Sequence, residues 1–289
     1  MLKYFLLVPF FFVPTLLFGT EISEPSDLKN GRKVFSVSGC GSCHAKEKVG
    51  NLDLIQLGGG VKISTPFGVF YAPNISPDNE NGIGNWTFEQ FKKALKEGVS
   101  PTGQHYFPSF PYMSYQLMTE KDIFDLFNFI RTLSPSSQPN INHDILFSNL
   151  LRKLMPLYNI RYNFLNYEKK TTFSEGEYLV KALGHCNECH TPRDTFGVPK
   201  FKYFLSGGTL YEKKEITTPN ITPDKSGIGN WSKKEIANYL RSGFTPDYDS
   251  SGGSMAEVIE NLMPLSDDEL MEIAKYLKSI NPVESKDKK

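Results

Sequence analysis

The sequence predicts an all-α protein of two tandem domains, each made of short helices and long loops, and three observations carry that prediction. An internal repeat comes first: "APNISPDNENGIGNW" at 72–86 returns as "TPNITPDKSGIGNW", ending at Trp231. Asn74 and Asn220 are 146 positions apart, as are Pro77 and Pro223, and Trp86 and Trp231 are 145 apart. Stacked repeats run at about 20–50 residues, so this period is that of a domain. Two such units can bury two separate cores. Helix-start signals also recur at matching places in the two units. Finally, Gly- and Pro-rich loops separate short stretches with helical spacing of apolar residues.

The elements follow in chain order. Met1 and Leu2 precede Lys3, and 4–18 is apolar except for Pro9, Pro14 and Thr15. That stretch is short of the roughly 20 residues a span needs and fits the apolar core of a secretory signal. Residues 1–20 are therefore expected to be an export signal cleaved near Gly19 or Thr20. Leu17 sits where a small residue is preferred, so retention as an anchor is the alternative. The first domain is expected at 21–134. Ser26 is the candidate cap of a helix with Leu28, Gly31, Val34 and Phe35 on one face. Thr87 and Gln90 form a capping box for a helix that ends at Gly98, and the last helix starts at Thr119 and carries Ile123, Phe127 and Ile130. A connector at 135–172 holds scattered Leu, Met, Tyr and Phe, which argues against a free linker; it is expected to pack across both domains or onto a partner. The second domain, 173–283, repeats the scheme. Ser174 and Glu177 cap a helix with Tyr178, Leu179, Ala182 and Leu183, Ser232 and Glu235 cap one that ends at Gly243, and the last starts at Ser266 and carries Leu270, Ile273, Ala274, Leu277 and Ile280. The charged tail 284–289 is expected to be disordered.

Charge excludes some partners. Lys plus Arg and Asp plus Glu are 32 each, so no basic field favours nucleic acid and no acidic one a cationic partner. Cysteine usage is more telling. All 4 cysteines lie in "CGSCH" (Cys40, Cys43, His44) and "CNECH" (Cys186, Cys189, His190), which leaves none for the staples usual in exported proteins. A structural zinc site could in principle draw on both words, but each word opens a repeat with its own complete apparatus. A redox dithiol wants a preceding strand in a βαβ setting, and no strand pattern precedes either word. The remaining chemistry is covalent haem: two thiols at this spacing bind one haem c, and the His that follows is placed to bind its iron. Two haem c groups are therefore expected, with His44 and His190 as iron ligands.

The repeated word reads as turn chemistry, since prolines fix φ and Asn and Asp bond their own backbone. It could be a surface turn beside a core Trp. The sharper expectation is that a carbonyl near Pro73 or Pro219 accepts from Nδ1 of His44 or His190, fixing the imidazole, with Trp86 and Trp231 near the propionates. For the opposite face of the second haem, Met255 is preferred because its glycine-rich loop can approach; Met263 is read as core filling. For the first, Met113 is preferred, with His105 next and Met118 as packing. His143 and His185 are read as solvated or structural.

With these residues in view, the chain resembles the multihaem cytochrome c subunits of bacterial membrane-bound dehydrogenases of the alcohol and gluconate type. The resemblance covers nearly all of 31–282, through "TPFGVFYAPNISPDNENGIGNWTFEQFKKAL", "FPSFPY", "GEYLVKALGHCNECHTPRD", "PNITPDKSGIGNW" and "GSMAEVIENLMPLSDDELMEIAKYL". It implies tandem class I-like cytochrome c domains and a periplasmic electron carrier, membrane-associated through its partner. Electrons would come from a quinoprotein, flavin or molybdenum dehydrogenase subunit and go to quinone or a terminal oxidase. Residue by residue, the two CxxCH words carry over as haem attachments and Met255 as the axial Met of "GSMAEV". Two departures stand out. Alcohol dehydrogenase members carry a third haem module for which this chain, ending "NPVESKDKK", has no room, which weakens the case for direct quinone chemistry. Some relatives read "PAMPY" with the axial Met where this chain has Phe110. A dihaem enzyme, of peroxidase or thiol-oxidising type with an open position at the first haem, is the alternative function.

Overall fold

The computed structural model describes residues 25–46, 55–165, 172–209 and 217–285; the expected export signal and most of the charged tail lie outside them. The described chain is mostly helical. Helix α1 (Leu28–Val37) leads to a short α2 (Cys40–His44), followed by α3 (Phe88–Glu97), α4 (Tyr112–Tyr115) and α5 (Glu120–Ile130). The connector folds into α6 (Ser148–Leu165). Then come α7 (Glu175–Tyr178), α8 (Asn187–His190), α9 (Lys233–Ser242), α10 (Gly253–Leu262) and α11 (Asp267–Ser279). Two antiparallel hairpins depart from the all-α expectation: β1 (Lys62–Thr65) with β2 (Gly68–Tyr71), and β3 (Gly208–Thr209) with β4 (Thr217–Thr218). These strands of two to four residues are too short to leave an alternating pattern in the sequence. Each hairpin delivers the chain into the repeated Pro-Asn-Ile word.

Capping chemistry sets most helix starts. Thr87 and Gln90, Ser232 and Glu235, and Ser266 and Glu269 form reciprocal boxes, and α3 and α9 end on left-handed Gly98 and Gly243. At α1 the cap is Asp27 rather than Ser26: its carboxylate accepts from the amides of Lys29 and Asn30. Leu28 faces outward, and the inner face is Gly31, Val34, Phe35 and Val37. Ser174 caps α7, but Glu177 turns away to pair with Lys181, so that box is one-sided. Beyond α7 the helix widens, with Gly184 N–H donating to Leu179 O. The wide turn swings the chain into CNECH, with His185 at φ +36°.

Close helix contacts organise both halves. A Cβ on Gly31 would lie 2.2 Å from Asp125 O, and one on Gly176 would lie 2.0 Å from Glu272 O. Glycine alone permits α1 to lie on α5, and α7 on α11, at this distance. The buried residues do not form two separate cores. Val34, Phe35, Leu126 and Ile130 from the first half and Val180, Leu183, Leu270 and Ala274 from the second belong to one continuous cluster. The halves meet beside their CxxCH words. Ser38 O accepts from the Tyr115 hydroxyl at 2.8 Å and lies 3.3 Å from His185 Nε2. Asn261 of α10 donates to Ser42 Oγ at 2.9 Å while its carbonyl accepts from Ser36 Oγ.

The connector packs across both halves, as its composition foretold. Tyr158 and Tyr162 of α6 are buried with Tyr112, Met113 and Val198. Tyr112 Oη donates to Asn159 Oδ1, and Tyr158 Oη to Gly197 O. The opposite face of α6 is apolar and open to solvent, with Leu150, Leu154, Leu157, Ile160 and Phe164 all exposed. Among the described residues, no helix is long and apolar enough to cross a membrane.

Candidate haem sites

Both CxxCH words sit on helical turns, α2 and α8 with Cys186 as its N-cap, so the cysteines and the following His lie on about one turn of a short helix. Behind each His is the same set of bonds. His44 Nδ1 lies 2.7 Å from Pro73 O, and His190 Nδ1 lies 2.8 Å from Pro219 O. The His44 and His190 carbonyls accept from Gly59 and Gly207 N–H at 2.8 Å each. With Nδ1–H held by a carbonyl, Nε2 carries the lone pair that a metal takes. Burial holds both imidazoles below the ordinary histidine pKa and favours the neutral form, with the bond to the Pro carbonyl opposing it in part.

The repeated word does more than turn the chain. Asn74 is buried; its Oδ1 accepts from Ser76 N–H, and its amide donates to Ser136 O and Gln138 O. Asn220 matches it, accepting from Thr222 N–H and donating to Val283 O at 2.7 Å. Each Asn thus ties the carbonyl-bearing loop to the segment just beyond the last helix of its half. The accepting half of this role was legible as turn chemistry, but the donor half joins residues over 60 positions apart and left no local signal. Thr218 was also missed: its hydroxyl donates to Cys189 O at 2.7 Å.

The arrangement fits covalent haem better than its rivals. The Cys40 and Cys186 thiols are pushed up to about 12 by burial and then by the neighbouring Cys43 and Cys189. A dithiol catalyst has its thiol pKa lowered, so this setting is the wrong one for redox exchange. Among the described residues, no three His, Cys, Asp or Glu side chains converge as a metal cage, and no disulfide links the cysteines. Thiol, thiol and carbonyl-held imidazole on one turn, repeated twice, are what a haem c needs from the chain.

The remaining predicted residues are placed as follows. Cys40 and Cys186 are half-buried against the main cluster, as are Met255, Phe110, Trp86 and Trp231. Met255 lies in the first turn of α10 rather than in a loop. Met263, expected to fill core, is 67% exposed just past the end of that helix. Met113, preferred as the first haem's ligand, is buried. It is packed with Tyr112, Tyr158, Tyr162 and Val198, in a cluster that does not include Cys40, because α4 turns it toward α6. Met118 is buried in the main cluster, as its packing role required. His105 pairs in a β-bridge with Val99, and its Nδ1 is buried with no hydrogen-bond partner among the described residues. His143 and His185 are structural: His143 Nδ1 accepts from Tyr71 N–H, and His185 faces Ser38 O.

Comparison with known proteins agrees with this geometry. The cytochrome c family model matches residues 28–134. A dihaem cytochrome c-type protein of Cereibacter sphaeroides is 41% identical over 267 residues, covering 89% of this chain and 87% of that protein. The fructose dehydrogenase cytochrome subunit of Gluconobacter japonicus is 32% identical, covering 92% of this chain and 57% of its own length. The cytochrome c subunit of the quinone-type alcohol dehydrogenase of Gluconobacter oxydans is 34% identical, covering 92% and 58%. The chain thus spans less than two thirds of those two dehydrogenase subunits but most of the dihaem protein. By sequence similarity over nearly its whole length and by the carbonyl-held histidine that follows each Cys pair, this chain belongs to the cytochrome c family.

Proposed function

We propose that this chain is an exported dihaem electron carrier, built as tandem domains at 21–134 and 173–283, that takes electrons from a dehydrogenase subunit and passes them to the respiratory chain. The observation that carries the reading is the duplicated His–carbonyl bond, His44 to Pro73 and His190 to Pro219. Cys40 and Cys43 would hold one haem c and Cys186 and Cys189 the other, with His44 and His190 on the irons. Met255, half-buried against the cluster that Cys186 joins, is our choice for the second iron's opposite face. Haem supplies one-electron chemistry between ferric and ferrous iron; the chain supplies burial, orientation and a route.

That route would cross the junction at Ser38. Its carbonyl, two residues before Cys40, meets the ring of His185, one residue before Cys186. Tyr115 stacks edge-on against His185 at 5.6 Å. Short through-bond steps of this kind favour transfer within the molecule over release of an electron between halves. The relatives' names support a dehydrogenase partner; our reading gives it a quinoprotein, flavin or molybdenum centre and puts quinone or a terminal oxidase downstream. The outward apolar face of α6 is the surface we assign to that partner, since contiguous exposed apolar faces mark interaction sites. Periplasmic location and membrane association through the partner complete the reading.

Isolation of the native protein from membranes in mild detergent tests it. A red protein with two haems per chain, held at fixed ratio to a dehydrogenase subunit, is the expected result. A colourless protein, or one lacking covalent haem in either half, overturns the reading.

A further inference from the structure

We infer that the two haem sites differ in one ligand: Phe110 stands in the first where Met255 stands in the second. Among the described residues the first haem would then have no side-chain ligand opposite His44, and it would take a small π-acceptor molecule such as carbon monoxide. This inference rests on the two-haem reading above.

The equivalence comes from this chain's own backbone. In the first half, Val99 bridges His105; in the second, Phe244 bridges Ser250, each residue 145 positions later. The surrounding bonds repeat at the same offset. Ser100 N–H donates to Gln104 O and Thr245 N–H to Asp249 O, while Tyr106 N–H donates to Gly98 O and Ser251 N–H to Gly243 O. The offset is still 145 at Ser109-Phe110 and Ser254-Met255. Both Phe110 and Met255 are half-buried and packed against the cluster that Cys40 and Cys186 also touch. A thioether has a sulfur lone pair to give a metal, and a phenyl ring has none.

Other donors in the first half are accounted for by the same comparison. Met118 corresponds to Leu265, 147 positions on; both are buried just before the last helix of their half, a packing position. Met113 is buried in the α6 cluster, against which Phe110, just before the start of α4, also packs. His105 corresponds to Ser250, a bridge position five residues short of Phe110. The ring at Phe110 sits among Tyr106, Tyr112 and Tyr115, with centroids 5.7–6.2 Å away, so the position is lined by aromatic rings rather than by a donor. One haem with a thioether ligand and one without also implies unequal potentials, since thioether ligation raises the potential.

The test uses the holoprotein with its haem counted by pyridine haemochrome, reduced and titrated with carbon monoxide. Half of the haem is expected to convert to the carbon monoxide spectrum. F110M should abolish uptake and double the ferric charge-transfer band of thioether-bound iron; M255L should let all the haem convert and remove that band. Should F110M fail to fold, wild type and M255L suffice. Two haems with no uptake overturn the ligand assignment alone, as does uptake by both haems in wild type. A bis-imidazole spectrum lost in H105A also overturns it, and absence of haem overturns the carrier reading with it.

Discussion

Replacing Gly176 by Ala puts one methyl group where the structure has a backbone. The new Cβ would fall 2.0 Å from Glu272 O, 2.4 Å from Glu272 C and 3.0 Å from Ile273 N. None of these atoms belongs to a flexible side chain, so α7 and α11 have to part by about 1 Å to restore van der Waals contact. Parting loosens Leu179, Val180, Leu183, Ile273 and Ala274, all nearly fully buried along that seam. Overpacking of this kind costs about 1–3 kcal/mol and occasionally more; with two rigid backbones opposed we expect about 3 kcal/mol. Equilibrium unfolding of the holoprotein in guanidinium, followed by far-UV circular dichroism, measures it as a lower midpoint at unchanged slope. Gly31→Ala, 2.2 Å from Asp125 O, should behave alike. Gly252→Ala is the control, because a Cβ there meets nothing within 4 Å. A Gly176→Ala protein as stable as wild type would refute the close-approach argument.

Further outcomes follow from the same geometry. Asn220→Ala removes the acceptor of Thr222 N–H and leaves Val283 O to the 3.2 Å bond from the Thr222 hydroxyl, and should cost about 1–3 kcal/mol. Because it frees the loop that holds His190, it should also raise the potential of the second haem alone in a spectroelectrochemical titration. Asp125 is fully buried; burial pushes its carboxyl up, but Lys121, Asp27 N–H and Asn30 outweigh this and hold it below the usual carboxylate range. Its folded pKa is thus depressed, and its stabilisation is present above the unfolded value of about 3.9 and lost as pH falls through the folded one. Asp125→Asn should flatten that acid limb of the stability profile. Ser266→Ala removes an α11 cap and should cost about 1 kcal/mol by denaturant midpoint, with the visible spectrum unchanged. Leu157→Glu with Phe164→Glu, both on the outer face of α6, should leave folding intact but strip the dehydrogenase subunit during purification; retention of that subunit sinks the docking assignment.

The sequence by itself determined the chemistry and most helix ends of this protein. CxxCH, the duplicated Pro-Asn-Ile word, and the caps at Thr87, Ser232 and Ser266 are local: their meaning depends on residues within a few positions, and such signals survive without a fold. The bonds from His44 to Pro73 and from His190 to Pro219 were also within reach, because the repeat placed the same word at the same distance from each His. Tertiary structure alone decided how the halves meet. Ser38 beside His185, Asn261 on Ser42, the single shared core and the donor bonds of Asn74 and Asn220 join residues far apart in the chain, which no periodicity encodes. Tertiary contact also decided the methionines. Met113, Met118 and Met263 are alike as residues, and only packing shows one turned to α6, one in the core and one to solvent. A side chain carries its chemistry in sequence, but what it faces is settled by the elements folded against it.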